Sequence, residues 1–185
     1  MNGTEPPQAG WPGAVRLLHW VSAVMIITML AVGTVMVRVD DTGIRFDLYQ
    51  SHKAFGIVVL SVTALRLLTR LVLAPRGPAV PGPRWQSFAA SFAHVALYLL
   101  MIAVALSGWT MASATPLPIP TSVFGLFDLP AIVPRDLETY KLAKAWHGWL
   151  TKALLAVALL HAVAALKHHV IDRDNVLRRM IGGGP

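Results

Sequence analysis

Cysteine occurs nowhere in the 185 residues, which excludes disulfides, thiolate-held iron–sulfur clusters and a thiolate-ligated haem. Acidic residues are scarce as well, nine Asp and Glu against 16 Lys and Arg. Where they are missing matters more than their number. Four apolar stretches, about residues 15–37, 48–73, 85–111 and 140–170, contain neither Asp nor Glu, and each exceeds the roughly 20 apolar residues that cross a bilayer core. A carrier of metal ions or protons usually sets acidic groups in its spans, so this chain is a poor candidate for one. No internal repeat of fixed period is present.

What remains is strongly apolar: 55% of residues are hydrophobic, 14% are charged and the mean hydropathy is +0.58. A soluble domain of this size is far more polar. The reading is an all-α integral membrane protein, a single membrane domain over residues 1–185. Its four spans form an up-down-up-down bundle, followed by a short basic tail at 171–185. The first span has only Arg16 at its entry; it therefore lacks a basic n-region and reads as a retained span rather than a cleaved signal. The formal charge of +7 lies mostly in the connections. There it bears on lipid headgroups and topology rather than on nucleic acid. Counting Lys and Arg beside the spans, Arg76 in the second connection included, gives nine on the side of the termini and seven on the other. The excess places both termini in the cytoplasm.

Residues 1–13 read as a loose polar tail, and the Pro/Gly-rich second connection as a turn. The apolar, proline-rich third connection, residues 110–138, reads as a segment that lies on the membrane surface or caps the bundle. All six tryptophans fall near span ends, where aromatic rings anchor at the interface.

The last span carries four of the seven histidines. His147 and His161 are 14 residues apart, about 21 Å of helical rise with a turn offset of about 40°, so one face holds two histidines at two depths. An intramembrane histidine is by default a functional candidate that needs a partner. Assigning each span its direction sorts the others. His19, His94 and His161 fall toward the inner face; His52 and His147 fall toward the outer one. Paired imidazoles from facing helices, with no carboxylates nearby, suit the two axial positions of a haem iron. Gly56 and Gly148, beside the outer histidines, either admit a porphyrin close to the backbone or serve ordinary helix packing. Arg66, Arg70, Lys53 and Lys152 are candidates for haem propionates; the two arginines alternatively snorkel to headgroups.

The segments VRLLHW, SHKAFGIVVL with the following RLLTRL, FAHVALYLLMIAVALSGW, KAWHGWL and LLHAVAALKHHVIDRDNVLRRM together resemble the bacterial branch of the cytochrome b561 family, over about residues 14–180. The resemblance implies two haem b, with His52 and His147 on the outer haem iron and His19 and His161 on the inner one. His94 matches a further family histidine that either competes for the inner iron or bonds a propionate or quinone. His168 lies seven residues past His161, within about 20° of the same face and about 10 Å nearer the interface. It is implied as a ubiquinone contact, the alternative being an interfacial histidine among headgroups. His169 points away. The implied setting is multi-pass in the bacterial inner membrane, among lipid. The implied activity is oxidoreduction between a periplasmic one-electron donor, with the small anion superoxide favoured, and ubiquinone. Lys53, Arg135, Lys141, Lys144 and Lys152 offer a basic collar for such an anion. The alternative is an electron-transfer subunit docking a dehydrogenase, hydrogenase or cytochrome c, for which Phe124–Val133 is the candidate surface.

Overall fold

A computed structural model of the chain describes residues 10–74 and 82–182. The expectations for residues 1–9, for the turn at 75–81 with Arg76, and for the end of the tail at 183–185 lie outside the described residues. Four helices are long and apolar enough to span a membrane: α1 (Gly13–Val35), α2 (Thr42–Leu73), α3 (Arg84–Ala114) and α4 (Leu137–Lys167). Between α3 and α4 sits a small antiparallel hairpin, β1 (Ser122–Val123) paired with β2 (Phe127–Asp128). Beyond α4 the chain continues through a π-helical turn, His168–Asp172, to the short α5 (Arg178–Ile181). The protein is thus a mainly helical, multi-pass membrane protein.

The helices outrun the apolar stretches that announce them, and capping explains where they start. Asp41 accepts a hydrogen bond from the Ile44 amide at 2.8 Å and so begins α2 at Thr42 rather than near residue 48. Asp136 accepts from the Thr139 amide at 2.7 Å and begins α4 at Leu137 rather than 140. Hydropathy cannot register those first turns because they are polar. Within the spans, the hydroxyls of Ser22, Thr34 and Thr63 each donate to the carbonyl four residues back, satisfying groups that hydrocarbon would leave bare.

Neighbouring helices run in opposite directions. Gly33 of α1 lies against His52 of α2, whereas His19 meets Arg66. Likewise Ser107 of α3 meets His147 of α4, and His94 meets His161. The outward faces carry Leu17, Ile27, Leu68, Phe88, Leu99 and Leu160, all at least 60% exposed, a surface suited only to lipid. Each span fully buries just two or three side chains, small ones such as Ala54, Thr63 and Ala114 prominent among them. Close backbone approach through small residues is the usual way helices pack in a membrane.

The two ends of the bundle are finished differently. At the cap end, Gln50 and Lys53 donate to the Pro120 carbonyl at 3.4 and 3.1 Å, and Phe124 stacks edge-on to Phe55 at 5.0 Å. Trp109 donates to the Pro130 carbonyl at 3.1 Å, and Ser113 accepts from the Ile132 amide at 3.2 Å. The third connection therefore caps the helices, one of the two arrangements its composition allowed. At the opposite end, where α1 begins and α4 finishes, Trp20 donates to the Met180 carbonyl at 3.0 Å. Trp20 and Trp109 thus fasten chain segments to the bundle, a task beyond interfacial anchoring.

The hydrogen bonds that Thr139 makes to Asp136 hold its carboxyl below the ordinary carboxylate range. A folded-state value that is depressed stabilises fully above the unfolded value, about 3.9 for Asp, and loses that effect as the pH falls through the folded one. Protection of the Thr139 amide against hydrogen exchange, corrected for its intrinsic rate, is expected to be flat above that range and to drop several-fold below it. Asp136→Ala should show the low protection at every pH. Equal protection in both proteins would remove the cap from this account.

Candidate functional site

Each long helix brings two residues to the bundle interior 14 positions apart: His19 and Gly33 on α1, His52 and Arg66 on α2, His94 and Gly108 on α3, His147 and His161 on α4. That interval is about 21 Å along a helix. Because the helices alternate in direction, the eight positions collect into two layers. All five histidines are half-buried.

The layer nearer the chain termini holds His19, His94 and His161. The ring centres of His19 and His161 are 6.2 Å apart, and those of His94 and His161 are 5.2 Å apart. Arg66 reaches in from α2, with Nη2 2.7 Å from His19 Nδ1 and the guanidinium carbon 5.2 Å from the centre of the Tyr98 ring. A guanidinium only donates, so His19 Nδ1 is the acceptor of this bond.

The cap-end layer holds His52 and His147, ring centres 6.4 Å apart. His147 Nδ1 lies 3.0 Å from the Val104 carbonyl and 3.1 Å from Ser107 Oγ. Ser107 itself donates to Val104, so the carbonyl takes the imidazole proton and Nε2 is left with its lone pair. His52 Nδ1 is buried with no hydrogen-bond partner among the described residues. Gly33 and Gly108 are the glycines that make room here. A Cβ on Gly33 would stand 3.1 Å from His52 Cε1, and one on Gly108 would stand 3.2 Å from His147 Cε1. At Gly56 and Gly148, the glycines singled out by adjacency in sequence, a Cβ would meet only Met29 at 3.9 Å at the first and, chain neighbours aside, open space at the second. Gly148, next to His147, is turned about 100° away from it, whereas Gly56, four residues past His52, lies within about 40° of its face; Gly33 and Gly108 reach the rings from across the bundle.

These distances can be set against what a metal-centred pair requires. Two imidazoles on opposite sides of one ion, with bonds of about 2.0 Å and a further 1.1 Å or so from each nitrogen to its ring centre, place the centres about 6.2 Å apart. His19 with His161 and His52 with His147 have that spacing; His94 with His161 is about 1 Å too close for it. The donor set is all imidazole with no carboxylate in either layer, which suits a haem better than a hard cation.

The remaining expected residues are more dispersed. Lys53 is turned to the Pro120 carbonyl, and Arg70 stacks on Trp11 at 5.0 Å. Lys152 is exposed with Nζ 4.5 Å from the centre of the Trp149 ring, on a face about 140° from His147. It shares an open groove with Lys141, Lys144 and Gly148, so the structure does not bring it to the histidine layer. His168 is held by Asp174, and His169 is exposed. Tyr98, Ser107 and the Val104 carbonyl escape sequence reading. Gly33 and Gly108 carried one available signal, their distance of 14 residues from His19 and His94.

A membrane bundle with histidines paired across its interior at metal-spanning distance defines a class, the multi-span b-type cytochromes. The sequence profile described as prokaryotic cytochrome b561 matches residues 10–183, and the chain belongs to that family. It is therefore a haem b protein of membrane electron transfer. Among curated relatives, "Cytochrome b561 homolog 2" of Escherichia coli (strain K12) is 36% identical over 165 residues, covering 89% of this chain and 87% of the relative. "Probable superoxide oxidase CybB" of Yersinia pestis is 30% identical over 172 residues, covering 89% and 91%. "Cytochrome b561 homolog 1" of Escherichia coli (strain K12) is 29% identical over 166 residues, covering 89% and 92%.

Branched side chains at Gly33 or Gly108 should push the facing imidazole out of line. Overpacking of this kind costs about 1–3 kcal/mol, enough to weaken haem affinity roughly tenfold or more. Pyridine haemochrome assay of Gly33→Val and Gly108→Val is expected to show haem b loss relative to the unsubstituted protein, with Gly148→Val unchanged. Haem loss only in Gly148→Val would return the close approach to the position expected from sequence.

Proposed function

We propose that this single membrane domain holds two haem b, one per histidine layer, and moves electrons from a periplasmic donor at the cap end to ubiquinone at the end bearing the termini. That end would face the cytoplasm, and the membrane would be the bacterial inner membrane. The observation that carries the proposal is the pair of ring spacings, 6.2 and 6.4 Å, in layers 14 residues apart. His52 and His147 would hold one iron, His19 and His161 the other. Haem iron at these places supplies reversible one-electron chemistry, which is what a two-layer path across the bilayer needs.

The chain's own residues do the rest. Val104 fixes His147 in the tautomer that presents Nε2. For His19 to present Nε2, its proton must sit on Nδ1, so Arg66 has to exchange that nitrogen for another acceptor. A haem propionate is the carboxylate that such a site would offer it. Lys53, at the cap end, and Arg70, at the other, would assist on leaving the Pro120 carbonyl and the Trp11 ring. His94, too close to His161 for the pairing distance, is left to bond a propionate or quinone.

Superoxide is the favoured donor. A one-electron anion is drawn to cationic surface, and Lys141, Lys144 and Lys152 line the groove on the cap half of α4. The name carried by the Yersinia pestis relative supports the same donor. Each of two superoxide ions would give one electron and leave as dioxygen; ubiquinone would take both electrons and two protons to become ubiquinol. A second reading has one observation in its favour. Phe124, Leu126 and Phe127 at the tip of the cap are 52%, 80% and 55% exposed, an apolar tip on which a partner redox protein could seat.

The deciding experiment is haem quantification and redox-difference spectroscopy on the purified chain. Two haem b per chain are expected, falling toward one in His147→Ala and in His161→Ala and unchanged in His94→Ala. Superoxide should reduce the haem of the isolated protein and ubiquinone should reoxidise it. A single haem unaffected by either alanine would sink the two-layer assignment. Haem that responds to a partner protein but not to superoxide would favour the docking reading.

A further inference from the structure

At the end of α4 the backbone departs from regular helix in two ways within six residues. The last turn widens into the π-helical His168–Asp172, and Arg173 then adopts the left-handed region at φ 53°. π turns gather at functional sites, and a left-handed non-glycine residue costs free energy that some contact must offset. Here the reversal lets the Asp174 amide bond back to the His168 carbonyl at 3.1 Å and brings two side chains together. Asp174 Oδ2 lies 2.6 Å from His168 Nδ1. Its other oxygen accepts the Val176 amide at 3.0 Å, which fixes the carboxylate plane. Both side chains are about one-seventh exposed, 14% and 15%. Asp172, 3.3 Å from the same nitrogen, is engaged by Lys167 Nζ at 2.6 Å.

An ionised carboxylate only accepts, so His168 Nδ1 carries a proton and points it at Asp174. The ring's Nε2 is thereby assigned to whatever lies on its other side. It accepts when the imidazole is neutral and donates when the ring is the imidazolium. His168 stands seven residues past His161, on nearly the same face and about 10 Å further along.

We propose that Asp174 is the positioning residue of a two-residue proton relay, holding His168 so that Nε2 exchanges a proton with a quinone oxygen. This rests on the reading above that quinone reacts at this end of the bundle. In quinone reduction two electrons arrive from the haem-bearing layers. The Nε2–H bond of the imidazolium breaks as an O–H bond forms on one carbonyl oxygen, and the neutral ring takes a new proton from water at that face. The same exchange serves the second oxygen, giving quinol. Asp174 stays a carboxylate throughout, and quinol oxidation runs the steps in reverse.

The test uses the haem-loaded protein. In Asp174→Asn the carboxamide oxygen can still accept from Val176 while its NH₂ donates to His168 Nδ1, which moves the ring proton to Nε2 and leaves the wrong tautomer. Reoxidation of chemically reduced haem by a soluble ubiquinone analogue, followed by stopped flow, is expected to slow by about 10²-fold or more. Haem content, haem spectra and the rate of haem reduction by superoxide should stay unchanged. Asp174→Glu should recover much of the rate, and Asp172→Asn should lose little. If His168→Ala slows reoxidation but Asp174→Asn does not, the relay is wrong while the quinone reading stands. If His168→Ala itself has no effect, both fail. Should Asp174→Asn lose haem, nitrogen NMR of histidine-labelled wild-type protein decides: a proton on His168 Nδ1 supports the relay, and one on Nε2 overturns it.

Discussion

An imidazole inside an apolar bundle is costly unless its nitrogens find partners from the protein or from something the protein holds, and here His19 and His147 have protein partners while His52 Nδ1 has none among the described residues. Much of this structure follows from that demand. Five histidines sit between the helices, and the contacts made by His19, His147 and the ring pairs come from across the bundle. The antiparallel register is what delivers Arg66 to His19, Val104 and Ser107 to His147, and one ring to within metal-spanning distance of another. Lipid-facing side chains, by contrast, are interchangeable greasy surface.

The two layers use the same ligand type in unlike surroundings. At the cap end, His147 meets a neutral carbonyl, and glycines from α1 and α3 clear the space against the rings. At the other end a third histidine, a tyrosine and a cation crowd the pair. Groups bonded to the outer nitrogen of a ligating histidine tune its basicity, so on the proposed ligation the two layers would be chemically distinct seats. Lys141, Lys144 and Lys152 line a groove on another face of α4 in the cap half, and the Asp174–His168 pair lies just past the end of α4.

Helix existence and approximate limits were legible because about 20 apolar residues without charge can do little else in a chain this hydrophobic. The depth of His147 and His161 was legible too, since both lie on one continuous helix and their interval fixes their separation. The helix starts at Thr42 and Leu137 were missed, as capping by Asp41 and Asp136 leaves no trace in hydropathy. That Gly33 and Gly108 lie against the rings was not legible, because packing is decided across helices as well as along them. Lys152 lies against Trp149 on a face of α4 about 140° from His147, which its helical phase already implied. The Asp174 contact was out of reach, because a π turn and a left-handed residue abolish the periodicity on which spacing arguments depend.

By itself the sequence determined a membrane bundle, its histidine-rich interior and the absence of any competing acidic ligand, since these depend on composition and on intervals within single helices. Which histidine faces which, what holds each ring's second nitrogen, and where the chain folds back to meet His168 were decided only by the tertiary structure. Those are relations between segments far apart in the chain, and the register of one helix against the next is fixed by side-chain packing that no single segment encodes.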